Sequence, residues 1–189
     1  MIYSSSMNKL AYLLLIPLVA SVRQEPSRGA SPGGAVPMPT LEGGRRLSIR
    51  PVRWIVVGGG APLQVIAGRT VPITLQADIA KGWHIYSLNQ KPGGPIPLSI
   101  QLINPGDVIV RGVIKAPKPE RLFDKNFGIE TELYSGNPRF VIPVGVPGRA
   151  PTGIRKLEVG ARYQVCSETL CLPPRTDKLG VTLLIKGRK

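Results

Sequence analysis

Eight or nine short runs of alternating residues, cut by turn signals and unaccompanied by any amphipathic helical pattern, predict an all-β chain. Composition agrees: 22 Gly and 20 Pro in 189 residues suit many short strands and tight turns. Hydrophobic residues make up 42%, enough for a core, and the length fits one domain with appendages. Together these observations argue for an immunoglobulin-like antiparallel β-sandwich, with a closed barrel as the alternative.

The chain opens on an export pattern. "MNKLAYLLLIPLVAS" carries Lys9, then an apolar run from Leu10 to Ala20, then small residues. That is the order of a secretory signal, and the expectation is a signal peptide over 1–21. An apolar run this short does not reach the ~20 residues a membrane span needs. Residues 22–45 are rich in Pro, Gly and Ser without periodicity, and are expected to be a linker without a fold of its own.

The expected globular domain covers 46–186, with a basic tail at 187–189. "LSIRPVRWIVVG" alternates loosely. "TVPITLQADI" alternates cleanly, with Val71, Ile73, Leu75, Ala77 and Ile79 on one parity. "GWHIYSL" follows a Lys-Gly turn, and "IPLSIQLI" follows the Gly/Pro-rich "QKPGGP". "DVIVRGVI", "TELYSG", "RFVIPVGV", "IRKLEVGARYQV" and "KLGVTLLIKG" complete the series. Asn104-Pro105-Gly106 and Ser135-Gly136-Asn137-Pro138 mark turns between them. One stretch breaks the rhythm: "KAPKPERLFDKNFGIE", Lys115 to Glu130, reads as a long loop, functional or mobile.

Net charge is +14. The basic residues are scattered, however, and no helix-turn-helix, RNP-like or zinc-finger spacing accompanies them, so no nucleic-acid partner is expected. The charge reads as a solvated surface open to acidic partners or an anionic membrane.

Both cysteines lie in "YQVCSETLCLPP", with four residues between Cys166 and Cys171. As a staple, a ring of about six residues contributes roughly 2 kcal/mol, against nearer 4 for a long loop. In "LEVGARYQVC" the apolar parity is Leu157, Val159, Ala161, Tyr163 and Val165; a strand running that far leaves Cys166 off the core face. As a metal clip, two cysteines and the single His84 fall short of a four-ligand zinc site. A redox pair needs a thiolate, a resolving thiol and access, and a short exposed loop supplies the last two. Pro173 and Pro174 hold the loop out of a sheet, and Arg162 or Arg175 beside the sulfurs would favour a thiolate.

The segment "YQVCSETLCLPP" resembles the active-site segment of the N-terminal periplasmic domain of the thiol:disulfide interchange protein DsbD family. "GWHIYSLNQKPGGPIPLSI" is similar to that family's strand-turn segment near the active site, and "NFGIETELY" to its cap region. The resemblance implies an immunoglobulin-like fold and a protein-disulfide reductase activity that needs no cofactor. The implied redox pair is Cys166 and Cys171, with Cys171 meeting partners and Cys166 resolving the mixed disulfide. Phe127 matches the cap phenylalanine; Tyr86 and His84 match two active-site tyrosines, so His84 is a departure, and Tyr163 belongs to the same supporting set. The implied partners are a membrane-embedded thiol electron transporter, thioredoxin-like proteins and oxidised periplasmic clients, including factors of cytochrome c biogenesis. Lys125 and Asn126 stand where acidic residues are expected, with Asp124 nearby, and the spacer is one residue shorter than in the best-known members. A bland reading stands beside each role: Phe127 as a loop anchor, His84 as a surface strand residue, Tyr86 and Tyr163 as packing, and the disulfide as a loop clamp in a non-catalytic binding module.

Overall fold

The computed structural model describes residues 49–188, which fall within one unit, Ser48–Lys189. The expected signal peptide at 1–21 and linker at 22–45 lie outside the described residues. The described part is built of strands, in chain order β1 (Val52–Val56), β2 (Leu63–Ile66), β3 (Thr70–Ile79), β4 (His84–Tyr86), β5 (Ser99–Ile103), β6 (Ile109–Val110), β7 (Glu120–Asp124), β8 (Ile129–Tyr134), β9 (Arg139–Gly145), β10 (Gly153–Tyr163), β11 (Val165–Cys166) and β12 (Arg175–Lys186). They form an immunoglobulin-like sandwich of two four-stranded sheets, β1-β3-β9-β6 and β2-β12-β10-β5, with a third sheet, β11-β4-β8-β7.

The core follows from strand parity. Ile73, Leu75 and Ala77 on β3 are fully buried, as the alternation in "TVPITLQADI" predicts. They meet Phe140, Ile142 and Val144 from β9, and Val159, Ala161, Leu183 and Ile185 from the facing sheet, in one cluster. Phe140 has no exposed surface and packs edge-on against Tyr134 and tilted against Trp54. Burying each side chain of this size contributes about 1.5–3 kcal/mol, so the cluster dominates the stability of the domain.

Two strands differ from the sequence expectation. β2 pairs parallel to β12, Leu63 opposite Leu183, in an otherwise antiparallel fold. A parallel pair requires a long crossover, and here the whole sandwich between β2 and β12 supplies it. The stretch from Lys115 to Glu130 is not a long loop: it holds β7, paired to β8 from Glu120↔Leu133 to Asp124↔Ile129. β7 is an edge strand exposed at Glu120, Arg121, Leu122 and Phe123. With only its last residue, Asp124, buried it shows no alternation, and its proline-rich approach masks it further.

The third sheet positions the site because its two faces have different neighbours. Ile85 pairs with both Tyr134 and Val165, and all three point into the main core. The opposite parity, His84, Tyr86, Leu133 and Cys166, points away from it. Tyr86, Leu133 and Cys166 form a second, separate buried cluster on that outer face, covered by Phe127 and Cys171.

Candidate functional site: a disulfide hairpin under an aromatic cap

Cys166 and Cys171 are disulfide-bonded, with their Cα atoms 4.1 Å apart. They face each other as an isolated antiparallel pair. The Leu172 amide donates to the Val165 carbonyl at 2.9 Å, and the Ser167 amide donates to the Leu170 carbonyl at 2.8 Å. The cysteines thus occupy a non-hydrogen-bonded position between two ladder bonds, where Cα atoms come closest. Four spacer residues therefore make a tight hairpin. Ser167 fixes it: its Oγ accepts from the amides of Thr169 at 3.3 Å and Leu170 at 3.1 Å, a local turn that ties up backbone donors.

Strand parity locates Cys166 correctly with respect to the main core, yet the conclusion that it sits in an exposed loop is overturned. Tyr163 and Val165 point into the main core, and Cys166 points the other way. The residue is nevertheless 0% exposed, because the β7–β8 hairpin folds over the outer face. Cys171, by contrast, is partly exposed, and Glu168, Thr169 and Leu170 are at the surface. The two cysteines are chemically alike and differ in burial.

The cover comes from the turn Lys125–Gly128 joining β7 to β8. Gly128 has φ +68°, and its amide donates to the Asp124 carbonyl at 2.7 Å; only glycine takes that conformation without strain. Asp124 organises the turn from within. Its Oδ1 accepts from the Asn126 amide at 2.8 Å, and its Oδ2 accepts from the Tyr86 hydroxyl at 2.6 Å. Asn126 Nδ2 donates across to the Ser167 carbonyl at 3.2 Å, joining the cap to the cysteine hairpin. Phe127 is thereby set edge-on to Tyr86, ring centroids 6.0 Å apart, against the cluster that contains both cysteines.

His84 lies on β4 directly opposite Cys166. Its side chain is 14% exposed, so it is not a surface strand residue. Nε2 lies 3.3 Å from the Tyr86 hydroxyl and 3.9 Å from Asp124 Oδ2. The ring sits edge-on to Tyr86 at 5.2 Å. Burial lowers the imidazole pKa below its ordinary value, outweighing the opposing attraction of Asp124 and Glu120. Burial first, then the bond to Asp124, pushes the Tyr86 phenol above its usual range. An open groove of about 360 Å³ runs alongside, lined by Trp83, His84, Leu122, Asp124, Asn126 and Ser167.

The structure brings together Cys166, Cys171, Phe127, Tyr86 and His84. It does not bring Tyr163 to them. Tyr163 lies in the main core, 5.8 Å from the Trp54 ring, with its hydroxyl donating to Asp177 Oδ2 at 2.7 Å. Arg175, expected to favour a thiolate, is instead bound to Asp177, and Arg162 points outward from β10. Sequence reasoning missed Asp124 and Asn126 as organisers of the cap. The readable signal was "DKNFG", an Asp two residues before an Asn with Gly after, which specifies an Asx-type turn. Among the described residues no group of three or more His, Cys, Asp or Glu side chains is placed to hold a metal.

Comparisons with known proteins follow this geometry. The family described as thiol:disulfide interchange protein DsbD, N-terminal, matches residues 53–183. Among solved structures, the N-terminal domain of DsbD from Neisseria meningitidis in the reduced form is 19% identical, with a TM-score of 0.44 over 62% of this chain and 82% of that one. The N-terminal periplasmic domain of ScsB from Proteus mirabilis is 20% identical, with a TM-score of 0.46 over 70% of this chain and 44% of that one. No curated protein matches in sequence. A disulfide hairpin with one cysteine buried and the other partly exposed fits thiol–disulfide interchange, and the match across most of the chain places it: this protein belongs to the family of the DsbD N-terminal domain.

Proposed function

We propose that this domain is an exported relay of reducing equivalents. It takes them from a membrane-embedded thiol electron transporter or a thioredoxin-like donor and passes them to oxidised periplasmic proteins. The observation that carries the reading is the unequal burial of the two bonded cysteines, Cys166 fully buried and Cys171 partly exposed. Family membership and the export pattern at 1–21 support it.

Loading proceeds by attack of a partner thiolate on Cys171 Sγ. The Cys166–Cys171 bond breaks and its electron pair leaves on Cys166. The partner's second thiol then releases Cys171, and the pair is reduced. Delivery reverses the roles: Cys171 attacks a client disulfide, and Cys166 attacks Cys171, closing the pair and releasing the client thiol. Phe127 covers the sulfurs between encounters and moves aside on docking.

The Cys166→Ala variant tests the assignment. It removes the resolving thiol, so mixed disulfides with a thioredoxin-like partner accumulate through Cys171. Cys171→Ala, with Cys166 retained, should form none and should fold normally, because a ring this small adds only about 2 kcal/mol. Trapping through Cys166 instead would reverse the two roles, and absence of any trapped partner together with marked unfolding of Cys171→Ala would mean a clamp and not a relay.

A further inference from the structure

Within that exchange, a buried Cys166 poses a difficulty. It must leave as a thiolate in one half-reaction and attack as a thiolate in the other, with no exposed surface and with Tyr86, Leu133 and Phe127 around it. An apolar surround disfavours the thiolate and raises the thiol pKa. Solvent cannot reach the sulfur to take or give the proton, so a neighbouring group must do so. Without such a group the thiolate that closes the pair and releases the client forms slowly.

The groups near Cys166 can be taken in turn. Tyr86 on β4 shares the cluster, but its one proton is held by Asp124 Oδ2 at 2.6 Å. Asp124 on β7 is occupied on both oxygens, by Tyr86 and by the Asn126 amide. Glu120 on β7, Lys125 in the cap turn and Glu168 in the hairpin lie along the groove and are exposed. His84 remains, half-buried and paired across the strands with Cys166. Residues directly opposite in an antiparallel pair have Cβ atoms about 4.5–5.5 Å apart. It is the only histidine of the chain, and imidazole is the side chain that changes charge near neutral pH.

The hydrogen bonds also select the tautomer. Because the Tyr86 proton is given to Asp124, the Tyr86 oxygen is an acceptor toward His84, and Nε2–H is the donor at 3.3 Å. The neutral ring therefore keeps its lone pair on Nδ1, the nitrogen not engaged by Tyr86, on a side chain that stands directly across the strands from Cys166.

We propose that His84 is the proton carrier for Cys166, an inference that rests on the exchange function above. In delivery, Nδ1 takes the Cys166 thiol proton. The resulting thiolate attacks Cys171 Sγ, the Cys166–Cys171 bond forms, and the bond from Cys171 to the client sulfur breaks with its electron pair on the client. In loading, the imidazolium returns the proton to Cys166 as that sulfur leaves with the pair of electrons from the broken disulfide. Asp124, through Tyr86, holds the ring in the required tautomer and balances the imidazolium charge. The lowered imidazole pKa keeps the ring in its basic form at neutral pH, ready for delivery.

The test is rapid mixing of the reduced full chain with dithiobis(nitrobenzoate). The first aromatic thiolate is released by Cys171 attack, and the second by closure through Cys166. The second phase is followed over roughly pH 5 to 9, spanning the imidazole titration, in wild type, His84→Gln and His84→Tyr. Gln keeps a donor toward Tyr86; Tyr keeps a ring on the strand without titrating near neutrality. Retention of the wild-type circular dichroism qualifies each variant. In wild type the second phase should rise through the imidazole titration and level off. In both variants it should be slower by at least about tenfold at neutral pH, the low end for a lost general base being higher still, and should keep climbing with pH. A second phase that matches wild type in rate and pH profile in both variants overturns the role of His84 while leaving the exchange function standing. No second phase in wild type itself overturns the exchange function and this proposal with it.

Discussion

Tyr86 and Tyr163 each bury a phenol, and each donates to a carboxylate, Asp124 at 2.6 Å and Asp177 at 2.7 Å. The chemistry is the same and the mechanical settings differ. Tyr163 and Asp177 sit on β10 and β12, two strands paired continuously from Gly153↔Ile185 to Tyr163↔Arg175. Asp177 also has Arg175 as a partner. Tyr86 and Asp124 join a three-residue strand to the last residue of an edge strand, one step before the cap turn. One bond reinforces structure already fixed by its neighbours. The other, with the Asn126 to Ser167 bond, ties the cap turn to the strands that bear the cysteine cluster. A local bond in a weakly supported region can be made and broken without disturbing the fold, which is the property a gated redox site needs.

The sharpest way to separate the two regions is to truncate an aromatic ring in each. Phe140→Ala empties a fully buried position between Trp54 and Tyr134, and should cost about 3–5 kcal/mol in denaturant unfolding. Phe127→Ala removes a partly buried ring from the cap and should cost far less. It should instead accelerate the reaction of the reduced pair with small oxidants several-fold, an effect absent from the folded Phe140→Ala protein. Equal losses of stability, or unchanged oxidation rates in Phe127→Ala, would erase the distinction.

Tyr86→Phe has the next largest effect. Asp124 is 4% exposed and would keep only the Asn126 amide as a hydrogen-bond donor. Leaving a buried carboxylate oxygen unpaired costs about 1–3 kcal/mol. The loss should be accompanied by faster oxidation of the reduced pair, since the cap turn loses its anchor to β4. Urea unfolding and thiol oxidation on the same preparation read both effects. A stability loss without a change in oxidation rate would mean that Asp124 does not position the cap.

Particular residues show where the sequence was legible. The two-residue period in "TVPITLQADI" is the pleat of β3, buried on one face only, so the core was readable directly. The same rule placed Cys166 on the face away from the main core. What parity cannot carry is whether a second layer covers that face. The cover here comes from Phe127, far along the chain, on a hairpin whose first strand is exposed at all but its last residue and so has no period to read. β2 is equally silent, being four residues between turns and paired to the far end of the chain. The resemblance carried by "YQVCSETLCLPP" places Tyr163 with the site, but Tyr163 shares the parity of Val165 and points with it into the main core, whereas Cys166 points the other way. The resemblance supplied the cap and the redox pair. It did not supply Asp124, whose role depends on a hydrogen bond spanning 38 positions.

The smallest expected effect belongs to Tyr163→Phe at neutral pH, about 0.5–1.5 kcal/mol, because Asp177 keeps Arg175. Alkaline pH should remove this difference between the two tyrosines. Burial is the leading cause that raises both phenol pKa values in the folded chain, and in each the carboxylate partner adds to it. In the unfolded chain both ionise near pH ~10. Below that pH each contributes its full stabilisation. Above it the unfolded chain gives up a proton that the folded chain retains, so stability falls as pH rises. Each phenol contributes a slope of up to about 1.4 kcal/mol per pH unit. Tyr86→Phe and Tyr163→Phe should therefore flatten the alkaline limb of the stability profile by similar amounts, although they differ at neutral pH. Flattening by Tyr86→Phe alone would mean that the Tyr163 phenol reaches solvent in the folded state, and that the strand pair around it opens more readily than the site of Tyr86.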